Sequence, residues 1–173
     1  MATEVVTDCE LTSLAQSFDT LPSLRGVRQY MPRLMWGICC EKSITNRDSG
    51  NISLVEVLEE IHVSSMPVNI ETPINLVTLW QKEDDLEDQD ESFEFRVPIL
   101  GPDGESRQEA PNGIEAAILG TSRLARVATD LIGVPVREEG IHRFLIELKV
   151  GDQWQEKGYV PLAIKATGEL SSA

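Results

Sequence analysis

The sequence predicts an all-β fold: an antiparallel β-sandwich of about seven to eight strands, immunoglobulin-like or C2-like. Two observations carry the prediction. Apolar residues recur with a period of two over most of the chain after residue 33, and polar turn segments separate these runs. A chain of 173 residues with 41% hydrophobic content is also long enough for one domain with a real core. The sandwich is expected over 32–166, with an arm at 1–31 and a tail at 167–173.

The first three strands are predicted from runs of apolar residues. "RLMWGICCE" (33–41) is apolar on both faces, which is typical of a central strand. "ISLVEVLEEIHV" (52–63) begins as an alternating run and loses its phase near Leu58, which predicts a bulge or bend there. "INLVTLWQK" (74–82) is the third strand, with Trp80 near its end.

The later strands alternate more regularly. "FEFRVPI" (93–99) places its apolar residues on one face, but Pro98 has no N–H to donate, so this strand is expected at a sheet edge or bulged. "FLIELKV" (144–150) and "QEKGYVPLAIK" (155–165) are separated by the short connection "GDQW" and predict a hairpin.

One stretch, 112–133, fits two structures. A helix would align four of its apolar residues: Leu124, Val127, Ala128 and Leu131. Alternation fits a strand equally well, and Gly120 and Gly133 would interrupt a long helix. Strands are favoured, and the helix remains the alternative.

The N-terminal arm is expected to contain a short helix. In "VTDCELTSLAQSF", Thr7 can act as the N-cap. Leu11, Leu14 and Phe18 then follow at spacings of three and four and form an apolar stripe. The stripe is a candidate contact surface, either for the protein's own sandwich or for a groove on a partner.

Part of the chain resembles a known family. The stretch "WGICCEKSITNRDSGNISLVEVLEEIHV" and the later "GIHRFLIELKVGDQW" are similar to an uncharacterised family of small bacterial domains, a domain of unknown function. The resemblance covers about residues 33–165, and its motifs are structural. It implies a bacterial, cytoplasmic β-sandwich and supplies no active-site residues.

The charge of the chain is concentrated in one segment. The net charge is −14, from 29 acids and 15 bases. The segment "EDDLEDQDE" (83–91) holds seven of the acids, so half of the imbalance lies there: Glu83, Asp84, Asp85, Glu87, Asp88, Asp90 and Glu91. It is interpreted as a contact for a basic partner, a cation site or a solvated loop. Counting strands places it at one acidic pole with Asp48, Glu138 and Glu139.

Several functions are disfavoured by what the sequence lacks. No Lys or Arg cluster suits nucleic acid or an anionic membrane, and no apolar run is long enough for a membrane helix. No secretory signal begins the chain, and three cysteines without framework spacing are typical of a reducing compartment, so a cytoplasmic location is expected. Cys39 and Cys40 are expected to be small core residues.

Function is predicted by elimination. Two histidines and three cysteines show no zinc spacing, and no catalytic or nucleotide-binding motif occurs. The protein is therefore expected to be a non-enzymatic protein-interaction module without a cofactor. The alternative is a ligand-binding sandwich, either C2-like with calcium or carbohydrate-binding. The partner and the oligomeric state remain open.

Overall fold

In the computed structural model, residues 31–46, 48–49, 51–82, 91–109, 111–119 and 123–168 are described, and their secondary structure is entirely strand and turn. Thirteen strands lie in this part of the chain: β1 (Arg33–Thr45), β2 (Ile52–Val57), β3 (Glu60–Val63), β4 (Val68–Ile70), β5 (Ile74–Gln81), β6 (Glu91–Arg96), β7 (Ile99–Leu100), β8 (Arg107–Gln108), β9 (Glu115–Leu119), β10 (Leu124–Leu131), β11 (Val134–Val136), β12 (Gly140–Val150) and β13 (Gln153–Ala166).

The first sheet has the strand order β10-β5-β1-β2, and every pair in it is antiparallel. β5 and β1 occupy its centre. β5 is buried over most of its length, because Leu76 and Trp80 face the core while neighbouring strands flank it on both sides. The sequence assignment of 33–41 and 74–82 as strands is confirmed.

The second sheet has the order β3-β13-β12-β6-β9, with β7 beside β12 and β8 beside β7. The long hairpin of β12 and β13 lies at the centre of this sheet, as the alternation predicts. β3 pairs with β13 in parallel, from Glu60 opposite Ala163 to Val63 opposite Ala166. A two-stranded sheet of β4 and β11 completes the described fold.

The hydrophobic core lies between the two larger sheets. Trp80 of the first sheet contacts Phe93 of the second, with ring centroids 4.8 Å apart, and Phe95 lies 6.0 Å from Trp80. Both packing distances suit tilted aromatic pairs. The alternating apolar side chains of β6, β12 and β13 face this core, and six of them are fully or nearly fully buried: Phe93, Phe95, Phe144, Ile146, Val160 and Leu162.

The all-β fold class is therefore confirmed, and the arrangement is consistent with a β-sandwich. The predicted strand number is wrong. The described residues contain more strands than the seven or eight expected, because several apolar runs are each divided into two strands. The stretch 112–133 contains β9 and β10, so the strand assignment is confirmed over the helix. The arm at 1–30, with its expected helix, and the tail from 169 onward lie outside the described residues.

The phase change near Leu58 marks a change of sheet. β2 ends at Val57 and pairs with β1, whereas β3 begins at Glu60 in the other sheet. The Leu58 N–H still donates to the Cys39 carbonyl oxygen at 2.9 Å. The predicted bend is thus real, and it carries the chain across the sandwich.

Pro98 is predicted at a sheet edge or a bulge, and the edge position is wrong, although the strand is interrupted at 97–98. β6 lies between β12 and β9, so the strand is internal. β6 and β7 pair with β12 in the same register. Between them, the missing N–H of Pro98 removes one possible hydrogen bond. The Pro98 carbonyl oxygen accepts from the Leu145 N–H at 2.8 Å, which keeps the two strands together across the interruption.

The predicted acidic pole depends on segment 83–91, and 83–90 lie outside the described residues, so the pole stays a prediction. Gln81, at the end of β5, pairs with Arg33 at the start of β1, whereas Asp48 follows the other end of that 13-residue strand. At ~3.3 Å per residue those ends lie roughly 40 Å apart. Glu138 and Glu139 precede Gly140, which lies far from the end of β12 that pairs with β6.

Candidate functional site

The structure places few of the residues that the sequence singled out. Of the acidic segment, 83–90 lie outside the described residues, and Glu91 is described only as the first backbone position of β6. Leu11, Leu14 and Phe18 of the arm also lie outside. The candidate contacts in 83–91 and in the arm remain predictions.

A different acidic site lies where the chain crosses between the sheets. It is a cleft of about 490 Å³. Its floor is apolar and consists of Leu58, Ile61, Val63, Val68, Ile70 and Ile74. Its rim carries four glutamates: Glu41, Glu56, Glu60 and Glu71. The volume falls within the range usual for ligand sites, and polar residues are more frequent in the lining than is usual there.

The cleft exists because the two large sheets separate at this end. β2 pairs with β1, whereas β3 pairs with β13 in the other sheet. Side chains therefore line the space between β2 and β3 without filling it. Ile70 and Ile74 are buried, but Leu58, Ile61, Val63 and Val68 are only half-buried and pack against the core from one side. The floor of the cleft is thus the part of the hydrophobic core that reaches the surface.

Two of the glutamates form a close carboxyl pair. Glu41 of β1 and Glu56 of β2 lie on adjacent strands, and both side chains are exposed. A hydrogen bond to Glu56 and the like charge of that carboxylate raise the pKa of Glu41. Glu56 adopts a left-handed backbone conformation, with φ of 50°, which is uncommon for a residue with a Cβ.

The other two glutamates already have partners. Glu60 binds Lys165, and its Oε1 lies 2.5 Å from His62 Nε2. The hydrogen bond from Lys165 lowers the pKa of Glu60. Glu71 accepts a hydrogen bond from Asn69 Nδ2 at 2.5 Å, which leaves its negative charge unneutralised. Within the described part of the chain, Glu41, Glu56 and Glu71 form no ion pair with a Lys or Arg.

The outer face of the second sheet offers a contrast, because its charges are satisfied internally. Glu147 is buried and accepts from Arg96 Nε at 2.8 Å and Arg107 Nη2 at 2.6 Å. Burial alone would raise the pKa of Glu147, but the hydrogen bonds and charges of the two arginines outweigh it and lower the pKa. Lys149 Nζ binds Glu94 at 2.5 Å on the same face.

Two aromatic rings on this face bear on carbohydrate binding. Trp154 is half-buried and Tyr159 is exposed. The Arg96 guanidinium lies 4.6 Å from the Trp154 ring centroid, and that of Arg143 lies 5.4 Å from the Tyr159 ring centroid. Because the guanidinium groups cover these ring faces, the rings do not form an open platform for a sugar.

Metal and nucleophile chemistry find little support among the described side chains. No group of three His, Cys, Asp or Glu residues in that part of the chain could hold a metal ion. Cys39 and Cys40 are both buried, but only Cys39 belongs to the core between the sheets, whereas Cys40 lies on the outer face against Asn75. Burial raises the pKa of Cys39 to about 12. His142 is buried beside the Gly140 carbonyl oxygen, and burial lowers its pKa.

The sequence contained one sign of this cleft. The loss of phase near Leu58 sits among Glu56, Glu59 and Glu60, and it marks the crossing that opens the site. The cleft was missed because the denser segment 83–91 dominated the charge pattern. Glu41 and Glu71 lie far from Glu56 in the chain and meet it only through strand pairing.

No known family model matches the chain, and no curated protein matches it either. Within the described residues, no helix has the length and apolar character needed to cross a membrane.

Proposed function

We propose that the protein is a non-enzymatic protein-interaction module whose cleft docks a basic, apolar-bearing segment of a partner protein. One observation carries the proposal: an apolar floor of half-buried side chains is rimmed by glutamates, three of which have no cationic partner in the described part of the chain. A floor of this kind favours burial of apolar side chains. The rim favours Lys or Arg on the same segment.

The charges of the rim are expected to contribute more to the specificity for the partner than to the affinity. Exposed ion pairs contribute little each, so most of the affinity would come from burying Leu58, Ile61 and Val68. The glutamates would instead raise the association rate and exclude acidic segments. The interaction is therefore expected to weaken as salt concentration rises.

A binding assay with a defined probe tests the proposal. The probe is a short fluorescent peptide that alternates leucine and arginine, and its control has glutamate in place of arginine. The full chain should bind the basic peptide and not the acidic one. Joint Glu41→Gln, Glu56→Gln and Glu71→Gln substitution should raise the Kd about tenfold.

The matched control neutralises three acids outside the cleft: Glu105→Gln, Glu115→Gln and Asp152→Asn. It carries the same net charge as the cleft variant and should bind nearly as wild type does. Equal losses in both variants would show a general charge effect and reject the cleft. Binding lost only on neutralising 83–91 would assign docking to that segment instead.

Calcium binding is the alternative function, and the Glu41–Glu56 pair is the observation that favours it. Calcium prefers six to eight oxygen ligands, however, and these two carboxylates supply few of them. Wild type and the Glu41→Gln variant should therefore show the same thermal shift with millimolar calcium. A stabilisation that only the wild type shows would favour the calcium-dependent function over peptide docking.

A further inference from the structure

The outer face of the four-stranded sheet is unusually apolar. Side chains alternate along β5, so Val77 and Leu79 face away from the core that Leu76 and Trp80 enter. The register places Trp36 opposite Leu79, and it places Val57 of β2 opposite Cys40 on the same face. Trp36, Val55, Val57 and Leu124 on this face are 37% to 55% exposed. Sheets with one solvated face usually carry polar residues there.

We infer that the N-terminal segment 1–30 of this chain covers this face, with Leu11, Leu14 and Phe18 packed against it. The inference is independent of the proposed peptide cleft, which lies between the sheets. Three observations favour this segment over another occupant: the place where it joins the sheet, the size of the apolar patch and the charges on both sides.

The point of attachment brings the segment within reach of this face. Met31 and Pro32 precede β1 and lie beside Phe93 and Leu148 of the second sheet, at one end of the sandwich. Arg33 at the start of β1 lies opposite Gln81, which in turn lies opposite Leu124, so the chain enters at the end of the sandwich that carries Leu124. The twelve residues from 19 to 30 can span up to roughly 40 Å when extended. The face measures roughly 26 Å from Trp36 to Ile44 along β1, so the stripe can reach all of it.

The size of the patch suits a short segment better than a second copy. The exposed fractions correspond to an apolar area on the order of 400 Å². A stable protein–protein interface buries about 800 Å² on each partner, which is about twice that area. Three apolar side chains on a short amphipathic segment match the smaller value.

The charges are also complementary. Residues 1–18 contain three acids, Glu4, Asp8 and Glu10, and no Lys or Arg. The sheet face carries exposed Lys42 and Arg126, while its Asp130 accepts a hydrogen bond from Asn75 Nδ2 at 2.6 Å. The outer face of the other sheet fits less well, because ion pairs such as Lys149 with Glu94 already satisfy its charges.

A nitroxide label on Cys9 of the full chain tests the inference. Cys39 and Cys40 are buried, which directs a thiol-specific label to Cys9. The label should strongly broaden the methyl NMR signals of Val55, Val57 and Leu124, and it should spare Leu100, which lies on β7 beyond β12 in the other sheet. Leu11→Ser, Leu14→Ser and Phe18→Ser together should abolish the broadening, and Thr12→Asn with Gln16→Asn should retain it.

A mixed sample distinguishes contact by the segment of the same chain from contact by the segment of a second copy. Isotope-labelled protein without nitroxide is combined with nitroxide-labelled protein without isotope. Broadening that appears in this mixture would show that a second copy supplies the contact, and it would overturn the inference. Broadening of Leu100 instead of Val57, or of none of these methyl groups, would overturn it as well. A normal peptide affinity in the triple serine variant would show that the cleft works independently of the segment.

Discussion

Glu147 shows how a charged residue becomes part of a sheet surface. It sits on β12 opposite Arg96 of β6, and Arg107 of β8 reaches the same carboxylate oxygen. Its alternating position predicts an exposed side chain, but both arginines cover it and leave it buried. A buried carboxylate is tolerated because two charge-assisted hydrogen bonds replace its hydration.

Replacing Glu147 with glutamine should lower the free energy of unfolding by about 2 kcal/mol at pH 7, since both arginines would lose their counter-charge in a partly buried site. Because the folded pKa of Glu147 lies below its ordinary 4.5, its contribution is complete above that value and is lost as pH falls through the folded pKa. Urea denaturation at pH 7 and near pH 3 measures both effects, and the variant should approach wild type at low pH. Glu94→Gln, which removes the exposed partner of Lys149, is the control and should cost well under half as much.

The two cysteines of β1 should be unreactive in the folded protein. Burial raises the pKa of Cys39 to about 12, so almost no thiolate exists at pH 8. Iodoacetamide at pH 8 should leave Cys39 and Cys40 unmodified until urea unfolds the chain, as read by mass spectrometry of the peptide that contains them. Modification without urea would contradict the burial of their thiol groups.

At the scale of elements, Gly37 controls how closely the two sheets approach. A Cβ built on Gly37 of β1 would lie 2.9 Å from Ile146 Cδ1 and 2.9 Å from Val160 Cγ2. Those side chains belong to the hairpin of the other sheet, so any larger residue at position 37 would force them or the strands to shift. The same hairpin positions Glu147 and supports β3 at the cleft.

Gly37→Ala should therefore destabilise the protein by about 1–3 kcal/mol, because the added methyl group forces the sheets apart or their side chains off rotamer. Gly168→Ala is the matched control, since nothing lies within 4 Å of its Cβ position. Thermal and urea unfolding of both variants measure the difference. A Gly37→Ala variant as stable as the control would show that the interface can relax without cost.

Pairing between strands, rather than strand propensity, decides the roles of the elements. The run 52–63 divides between two sheets at Leu58, and the run 93–99 stays on one partner strand despite Pro98. Each run alone predicts a strand with an irregularity. The partner strands determine whether that irregularity becomes a crossing or only a missing hydrogen bond.

At the scale of the whole molecule, negative charge gathers where the two large sheets separate. The cleft there carries Glu41, Glu56, Glu60 and Glu71. The folded protein thus tolerates like charges close together at the cleft. Such an arrangement costs stability, and it is consistent with a site that gains from a cationic partner.

The Glu41–Glu56 pair allows the stability cost of these like charges to be measured. Glu41→Gln should raise the Tm at pH 7, because it removes one of two facing negative charges. The folded pKa of Glu41 is raised, so the pair favours the folded state at low pH and this contribution is lost as pH rises through the folded value. The Tm advantage of the variant should therefore shrink as the solution is acidified. Glu115→Gln, which changes net charge equally, should show no such trend.

Local runs and alternation of apolar residues determined a large part of this protein. They identified the strands at 33–41, 74–82, 144–150 and 155–165 and the inward position of Phe93, Phe95 and Phe144. These features are local, since the pleat fixes the direction of each side chain within its own strand. The acidic cleft, the crossing at Leu58 and the internal place of Pro98 were decided only by the tertiary structure. Each depends on which distant strands pair, and pairing follows from burial of the whole core rather than from any single run.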